Sequence, residues 1–320
     1  MRHFLTLAAF AALATAKQLI ATPSPADFVK YINGTHFVDP ATNKTYQHFD
    51  CDVTLKNATS HFKAGIQRLH NKQLASAHGA RAATALTKKQ VQTPIAVKAY
   101  FHVITTTAKA ATITQQMAND QLTALNAAYS PIGVTFTLAG TDFTTNDAWA
   151  VADGADMNAL KQALRKGTYA DLNLYFHSDL TGGILGTCTL PNQVPVGADP
   201  SMYISDGCNL AAGTMPGGNI GGYNKGGTAI HETGHWLGLL HTFEGYACTG
   251  DGDLIADTPF ESVSTQGCPS KPAKDSCPST TGVDPIHNYM DYSTDACYTN
   301  FTPGQVARIG TLWTQYRQGQ

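Results

Sequence analysis

Glutamate is nearly missing from these 320 residues: it occurs only as Glu232, Glu244 and Glu261, and charged side chains of all kinds make up 14% of the chain. With a net charge of −2 and no basic stripe, a nucleic-acid partner is excluded. Long apolar runs are missing too. Beyond Phe4–Leu13 nothing approaches the roughly 20 residues that a bilayer-spanning helix needs, so no membrane insertion is expected. The seven cysteines contain no CxxC pair, which removes the usual spacing of a cysteine metal cluster. What remains is 42% hydrophobic with three Trp, enough for one large domain with an N-terminal appendage.

The start of the chain reads as an export signal. Arg2 and His3 give a charged beginning, Phe4–Leu13 an apolar run and Ala14-Thr15-Ala16 a small-residue cleavage site, so residues 1–16 are expected to be removed from a secreted, extracellular protein. Sequons at Asn33, Asn43, Asn57 and Asn300 fit glycosylation during export. Residues 17–92 have few apolar runs. A helical pattern is confined to 61–80, around Ile66, Leu69 and Leu74. This stretch reads as a pro-segment, with a linker or small accessory lobe as the competing reading and Lys88-Lys89 as a cleavage position. From residue 93 the pattern changes. Strands are expected at 95–104, 134–138 and 171–177, with helices at 113–129 and 157–165, an alternation that predicts a twisted mixed sheet backed by helices.

Chemistry concentrates in residues 231–243, HETGHWLGLLHTF. His231 and His235 lie four apart and share one helix face, so both can reach one ion. Gly238 can take the left-handed conformation that turns the chain out of the helix and returns His241 as a third ligand. Three neutral imidazoles with an open fourth position describe a catalytic zinc site, and Glu232 is placed to take a proton from an attacking water. Shuffling this composition produces HExxHxxGxxH in roughly one chain in 10⁵. Thr228 reads as the cap of this helix. Thr302-Pro303 opens a closing helix whose buried stripe is Val306, Ile309, Leu312 and Trp313.

The motif, with Asn288-Tyr289-Met290-Asp291-Tyr292 downstream, resembles the metzincin metalloproteases. Residues 234–243, 250–259 (GDGDLIADTP), 282–292 (GVDPIHNYMDY) and 301–309 (FTPGQVARI) resemble the pappalysin group, in particular fungal secreted metalloproteases. The likeness spans about Thr93 to Arg317.

The resemblance implies an α+β metzincin-type catalytic domain over 93–320. It would hold the zinc helix in a cleft and a disulfide-stapled, loop-rich C-terminal part. Met290 becomes an apolar floor under the histidines, and Tyr292 an oxyanion donor or simply a tyrosine buried against the turn. Residues 182–190 (GGILGTCTL) become the cleft's edge strand, with Ile184, Leu185, Gly186 and Thr187 holding substrate backbone; an ordinary glycine-rich loop competes. The pairing Cys248–Cys277 with Cys268–Cys297 is implied, leaving Cys188 and Cys208 to pair. Cys51 stays odd, either as a zymogen switch in the open zinc position or as an unpaired or intermolecular thiol. It lacks the flanking arginine or glycine of some relatives. Relatives bind calcium near Asp253, Asp257 and Thr258, where solvated turn aspartates are the alternative. The expected function is a secreted zinc endopeptidase acting on extracellular proteins or peptides. The alternatives are a zinc hydrolase of small amides or peptides and a catalytically silent secreted binding protein. The oligomeric state stays open.

Overall fold

Along Ile95–Thr105 buried and exposed positions alternate at first, and from Phe101 onward every residue is buried. Val97, Ala99, Phe101, Val103 and Ile104 are buried, while Ala96 and Lys98 face water. This is the strand around which the rest assembles. The computed structural model describes residues 30–33, 36–38, 45–47, 51–77, 91 and 93–320. The export segment Met1–Ala16, the sequon at Asn43 and the pair Lys88-Lys89 lie outside the described residues.

In chain order the strands are β1 (Lys30–Asn33), β2 (His36–Val38), β3 (Thr45–Gln47), β4 (Ile95–Thr105), β5 (Val134–Thr145), β6 (Leu172–His177), β7 (Gly186–Cys188) and β8 (Cys208–Ala211). The first three form an antiparallel sheet. The others form a mixed sheet in the order β5-β4-β6-β8-β7, parallel throughout except for β7, which runs antiparallel at the edge. β1, β2, β3, β8 and the helix Asp147–Val151 are only three to five residues long, too short for a periodic pattern to mark them as elements.

One helix backs the sheet and aims the chemistry. Gln115–Tyr129 is capped by Thr114, whose side chain accepts from Met117 N, and it buries Ala118, Leu125, Ala128 and Tyr129. Tyr129 Oη donates to Ile230 O at 2.8 Å, and Gln121 Nε2 to Gly226 O at 3.1 Å. Both bonds pin a second helix, Gly227–Trp236, every residue of which is buried.

That helix starts differently from the sequence expectation. Gly226, at φ 89°, precedes it without a side-chain cap, and Thr228 lies inside, its hydroxyl without a hydrogen-bond partner. A distant carboxylate does the capping: Asp295 Oδ2 accepts from Lys225 N (2.7 Å) and Gly227 N (3.2 Å). The closing helix Pro303–Leu312 follows the expectation, with a full capping box between Thr302 and Gln305.

The helix Ser60–Ala77 docks on the body of the chain that follows the mixed sheet. Phe62 and Ile66 are fully buried in one cluster with Leu240, Leu254, Leu312 and Tyr316. Burial of each such side chain stabilises the docking by about 1.5–3 kcal/mol. Polar contacts add direction: Tyr316 Oη meets His61 Nδ1 at 2.9 Å, and Leu55 N donates to Glu244 Oε1 at 3.1 Å. Three disulfides join Cys188–Cys208, Cys248–Cys277 and Cys268–Cys297, and Cys51 is free and buried.

Candidate metal centre and cleft

The helix Gly227–Trp236 ends where Gly238 takes φ 96°, and the chain turns back to bring His241 beside His231 and His235. His235 Nε2 lies 3.1 Å from both His231 Nε2 and His241 Nε2. Backbone carbonyls fix two of the ring orientations: His231 Nδ1 bonds Tyr289 O (2.8 Å) and His235 Nδ1 bonds Leu239 O (2.9 Å). Each Nε2 is thereby left with a lone pair, and these lone pairs point together. Tetrahedral ligands at about 2.0–2.1 Å from zinc stand roughly 3.3 Å apart, so the donor set fits that ion. Burial holds the imidazoles neutral, pushing His235 down to about 4 and His231 and His241 well below their ordinary value. Neutral imidazole is the ligating form.

Cys51 supplies a fourth donor. Its Sγ and the three histidine nitrogens lie within 4.8 Å of one another, all buried. Burial and the charge of Glu232 push the thiol well above its usual range, so without an ion it stays protonated. A coordinated cation reverses that and takes the thiolate. The backbone of Cys51 is gripped by Tyr292, whose hydroxyl accepts from Cys51 N at 3.1 Å and donates to Cys51 O at 2.8 Å.

Of the expected substrate strand, Gly186 and Thr187 lie in β7. Gly186 pairs in parallel with Cys51, and Thr187 Oγ1 donates to Asp52. Leu185 is buried with Cys51, Val53, Tyr223, Phe243 and Tyr292, and Ile184 is half-buried just before the strand. The N-terminal segment therefore lies along the cleft edge.

Glu232 explains Gly186. A Cβ at that position would stand 2.6 Å from Glu232 Oε1 and 2.7 Å from its Cγ, so the strand comes close only because no side chain intervenes. Burial raises the Glu232 carboxyl to about 8, and the neighbouring Cys51 thiol moderates the rise. Gly186→Ala should displace Glu232 and lower peptidase activity by about 10²-fold with metal content unchanged. Parallel kinetics and metal analysis check this, and unaltered kcat/KM would refute the steric reading.

Met290 is fully buried, and a Cβ at Gly234 would strike its Sδ, so the turn packs directly under the zinc helix. Buried charges brace this floor. Lys274 Nζ reaches Glu261 Oε1 (2.7 Å) and Asp284 Oδ2 (2.6 Å), and Glu261 Oε2 accepts from Thr242 Oγ1 (2.7 Å), next to His241. Sequence reasoning missed Glu261, Lys274 and Asp295; the scarcity of glutamate was the only pointer to the first.

The acidic loop splits. Asp253 is buried, its carboxyl raised to about 7 by burial, with the Thr258 hydroxyl beside it moderating the rise; apart from each other, Asp253 Oδ2 and Thr258 Oγ1 meet no hydrogen-bond partner among the described residues. Both residues line a cavity of about 190 Å³ with Glu244 and Glu261. Asp257 points elsewhere: its Oδ1 accepts from Thr302 Oγ1 and its Oδ2 from Gly304 N, each at 2.8 Å, capping the closing helix. Asn57 and Asn300 are exposed, and Asn33 ends β1.

Comparison with known proteins meets this geometry. The model of the peptidase family described as pregnancy-associated plasma protein-A matches residues 203–313. An extracellular metalloprotease of Sordaria macrospora is 51% identical over 228 residues, covering 71% of this chain and 77% of that protein. One from Neurospora crassa is 48% identical over 248 residues, covering 77% and 84%. Among solved structures, mature mirolysin of Tannerella forsythia in complex with a cleaved peptide superposes with TM-score 0.59 at 27% identity, covering 71% of this chain and 94% of that one. A promirolysin mutant from the same organism gives TM-score 0.62 at 24% identity, covering 83% and 94%, a likeness of fold.

Proposed function

Because the chain belongs to the pappalysin family of extracellular metalloproteases, which are metalloendopeptidases, we propose that it is made as a latent zymogen and, once processed, cleaves extracellular proteins or peptides with Glu232 as general base. The convergence of His231, His235, His241 and Cys51 around one buried point carries this reading. Zinc held there by His231, His235 and His241 would polarise the scissile carbonyl and lower the pKa of the attacking water. Glu232 takes the proton from that water and passes it to the leaving amine. The edge of β7 at Gly186 and Thr187 takes substrate backbone once the segment around Cys51 has left, which favours extended peptides over small amides. Departure of that segment also frees the Tyr292 hydroxyl to donate to the oxyanion. Retention of Glu232 and of all three histidines speaks against a silent binding protein.

In the latent state Cys51 closes the fourth position, and the helix Ser60–Ala77 holds the segment down. No described helix is long and apolar enough to cross a membrane. The export signal over 1–16, the pro-segment over 17–92 and glycans on the exposed Asn57 and Asn300 complete the proposal.

Chelation tests the metal. Treating the processed enzyme with a strong chelator should abolish casein hydrolysis, and one equivalent of Zn²⁺ should restore it; activity that survives with no metal bound would sink the reading. Calcium is a separate proposal, resting on Asp253 Oδ2 and Thr258 Oγ1. Because the Asp253 carboxyl is raised in the folded state, its ionisation opposes folding as pH climbs from about 4 through about 7. A bound cation offsets that cost. Ca²⁺ should therefore raise the unfolding temperature by several degrees at pH 8 and by less at pH 5. An identical response in Asp253→Asn would refute the site.

A further inference from the structure

Away from the cleft, three buried cations share one carboxylate. Lys161 and Arg165 stand four residues apart at the end of the helix Ala155–Leu164 and so share a face, and Arg317 reaches in from the C-terminal turn. Lys161 is 4% exposed, and the side chains of Arg165 and Arg317 are 2% and 1% exposed. Their carboxylate is Asp206, and its oxygens are already engaged. Oδ1 accepts from Arg317 Nη2 (3.1 Å) and Thr189 Oγ1 (2.8 Å), and Oδ2 from Arg317 Nη1 (3.1 Å) and Trp236 Nε1 (3.0 Å).

Arg165 is poorly served. Its Nη2 donates to Thr168 O and stays 3.8 Å from Asp206, and its buried Nε and Nη1 have no hydrogen-bond partner among the described residues. Lys161 Nζ bonds one carbonyl, Ser205 O at 2.7 Å, and lies 5.3 Å from the centre of the Tyr175 ring. The Tyr175 hydroxyl is also buried without a partner. Nearby carboxylates are committed elsewhere: Asp142 to His102 and Lys166, Asp171 to the Thr168 N–H. His177 is held neutral by burial, pushed down to about 4, and brings no countercharge. Three buried positive charges thus face one buried carboxylate, and Arg165, 3.8 Å from Asp206 and 4.8 Å over the Tyr203 ring, keeps two N–H groups unpaired among the described residues, a costly arrangement in a low-dielectric interior.

We propose that a small monovalent anion, chloride in the extracellular medium, binds among Lys161, Arg165 and Tyr175 and takes up the donors they leave unused. Complete burial of these atoms favours a monatomic ion over phosphate or a carboxylate ligand. The site has a structural consequence for the zinc helix. With the anion offsetting one of the two positive charges on Lys161 and Arg165, Asp206 is left to hold Arg317 and, through Trp236 Nε1, the end of the helix that carries His231 and His235.

The test follows the unfolding midpoint of the full-length chain while sodium gluconate is replaced by chloride or bromide at constant ionic strength. A saturable rise of several degrees is expected, with an anomalous bromide peak beside Lys161 in crystals. Tyr175→Phe keeps the ring and removes one donor, so it should weaken the half-saturating bromide concentration about tenfold. Lys161→Met should flatten the response. A midpoint indifferent to halide, or a halide response that both variants share with the native chain, overturns the proposal and leaves water as the occupant.

Discussion

The full-length chain with Cys51→Ala should hydrolyse protein without being processed, at about 10 to 10³ times the rate of the unprocessed native chain. The range follows from the population of an open minor state, commonly 0.1–10% of a two-state equilibrium. Substitution removes the one sulfur donor that faces His231, His235 and His241 among the described residues and costs little packing. The gain is expected toward the lower end, because other holds survive. Tyr292 still grips the backbone of residue 51, Thr187 still meets Asp52, and Phe62 and Ile66 still seat the helix. Gel analysis must show the chain intact during the assay. An intact variant as silent as the native chain would mean that those holds alone impose latency, and the cysteine would be a passenger.

In the processed enzyme, Glu232→Gln should lower kcat by about 10²–10⁴-fold, the usual contribution of a positioned general base. Zinc content should stay at one per chain, because the three histidine nitrogens that face the metal belong to other residues. KM should change little, since the substrate edge at Gly186 and Thr187 does not depend on the carboxylate charge. Glutamine is close to isosteric and keeps the packing against Gly186. A variant within tenfold of native activity, with its zinc in place, would move the proton transfer to another group.

The parts of the site legible in sequence are those with fixed local spacing. His231, His235 and His241 follow from helix periodicity and one glycine turn, and the closing helix follows from Thr302-Pro303. Long-range pairing was less accessible. Asp295 caps the zinc helix from 68 residues away through Gly227, a contact no local pattern announces, and Thr228 therefore drew the assignment. Asp257 sits in an acidic run that suggests a cation, yet its partner is a helix terminus some 45 residues on. Cysteine parity singled out Cys51, but its position beside the histidines depends on a chain reversal that only the fold reveals. Strand–helix alternation pointed to the mixed sheet and family likeness to the cleft, whereas the buried charges beneath Met290 emerge only from the fold.

The overlap of two cross-links carries a topological consequence. Cys248–Cys277 and Cys268–Cys297 enclose staggered loops, so every peptide bond from 248 to 297 lies inside at least one closed ring. A single nick anywhere in that stretch leaves one continuous covalent network, with Met290 and Tyr292 still tethered to the histidine-bearing half. The loop-rich stretch that carries Met290 and Tyr292 is thus held in a form that one cut cannot detach.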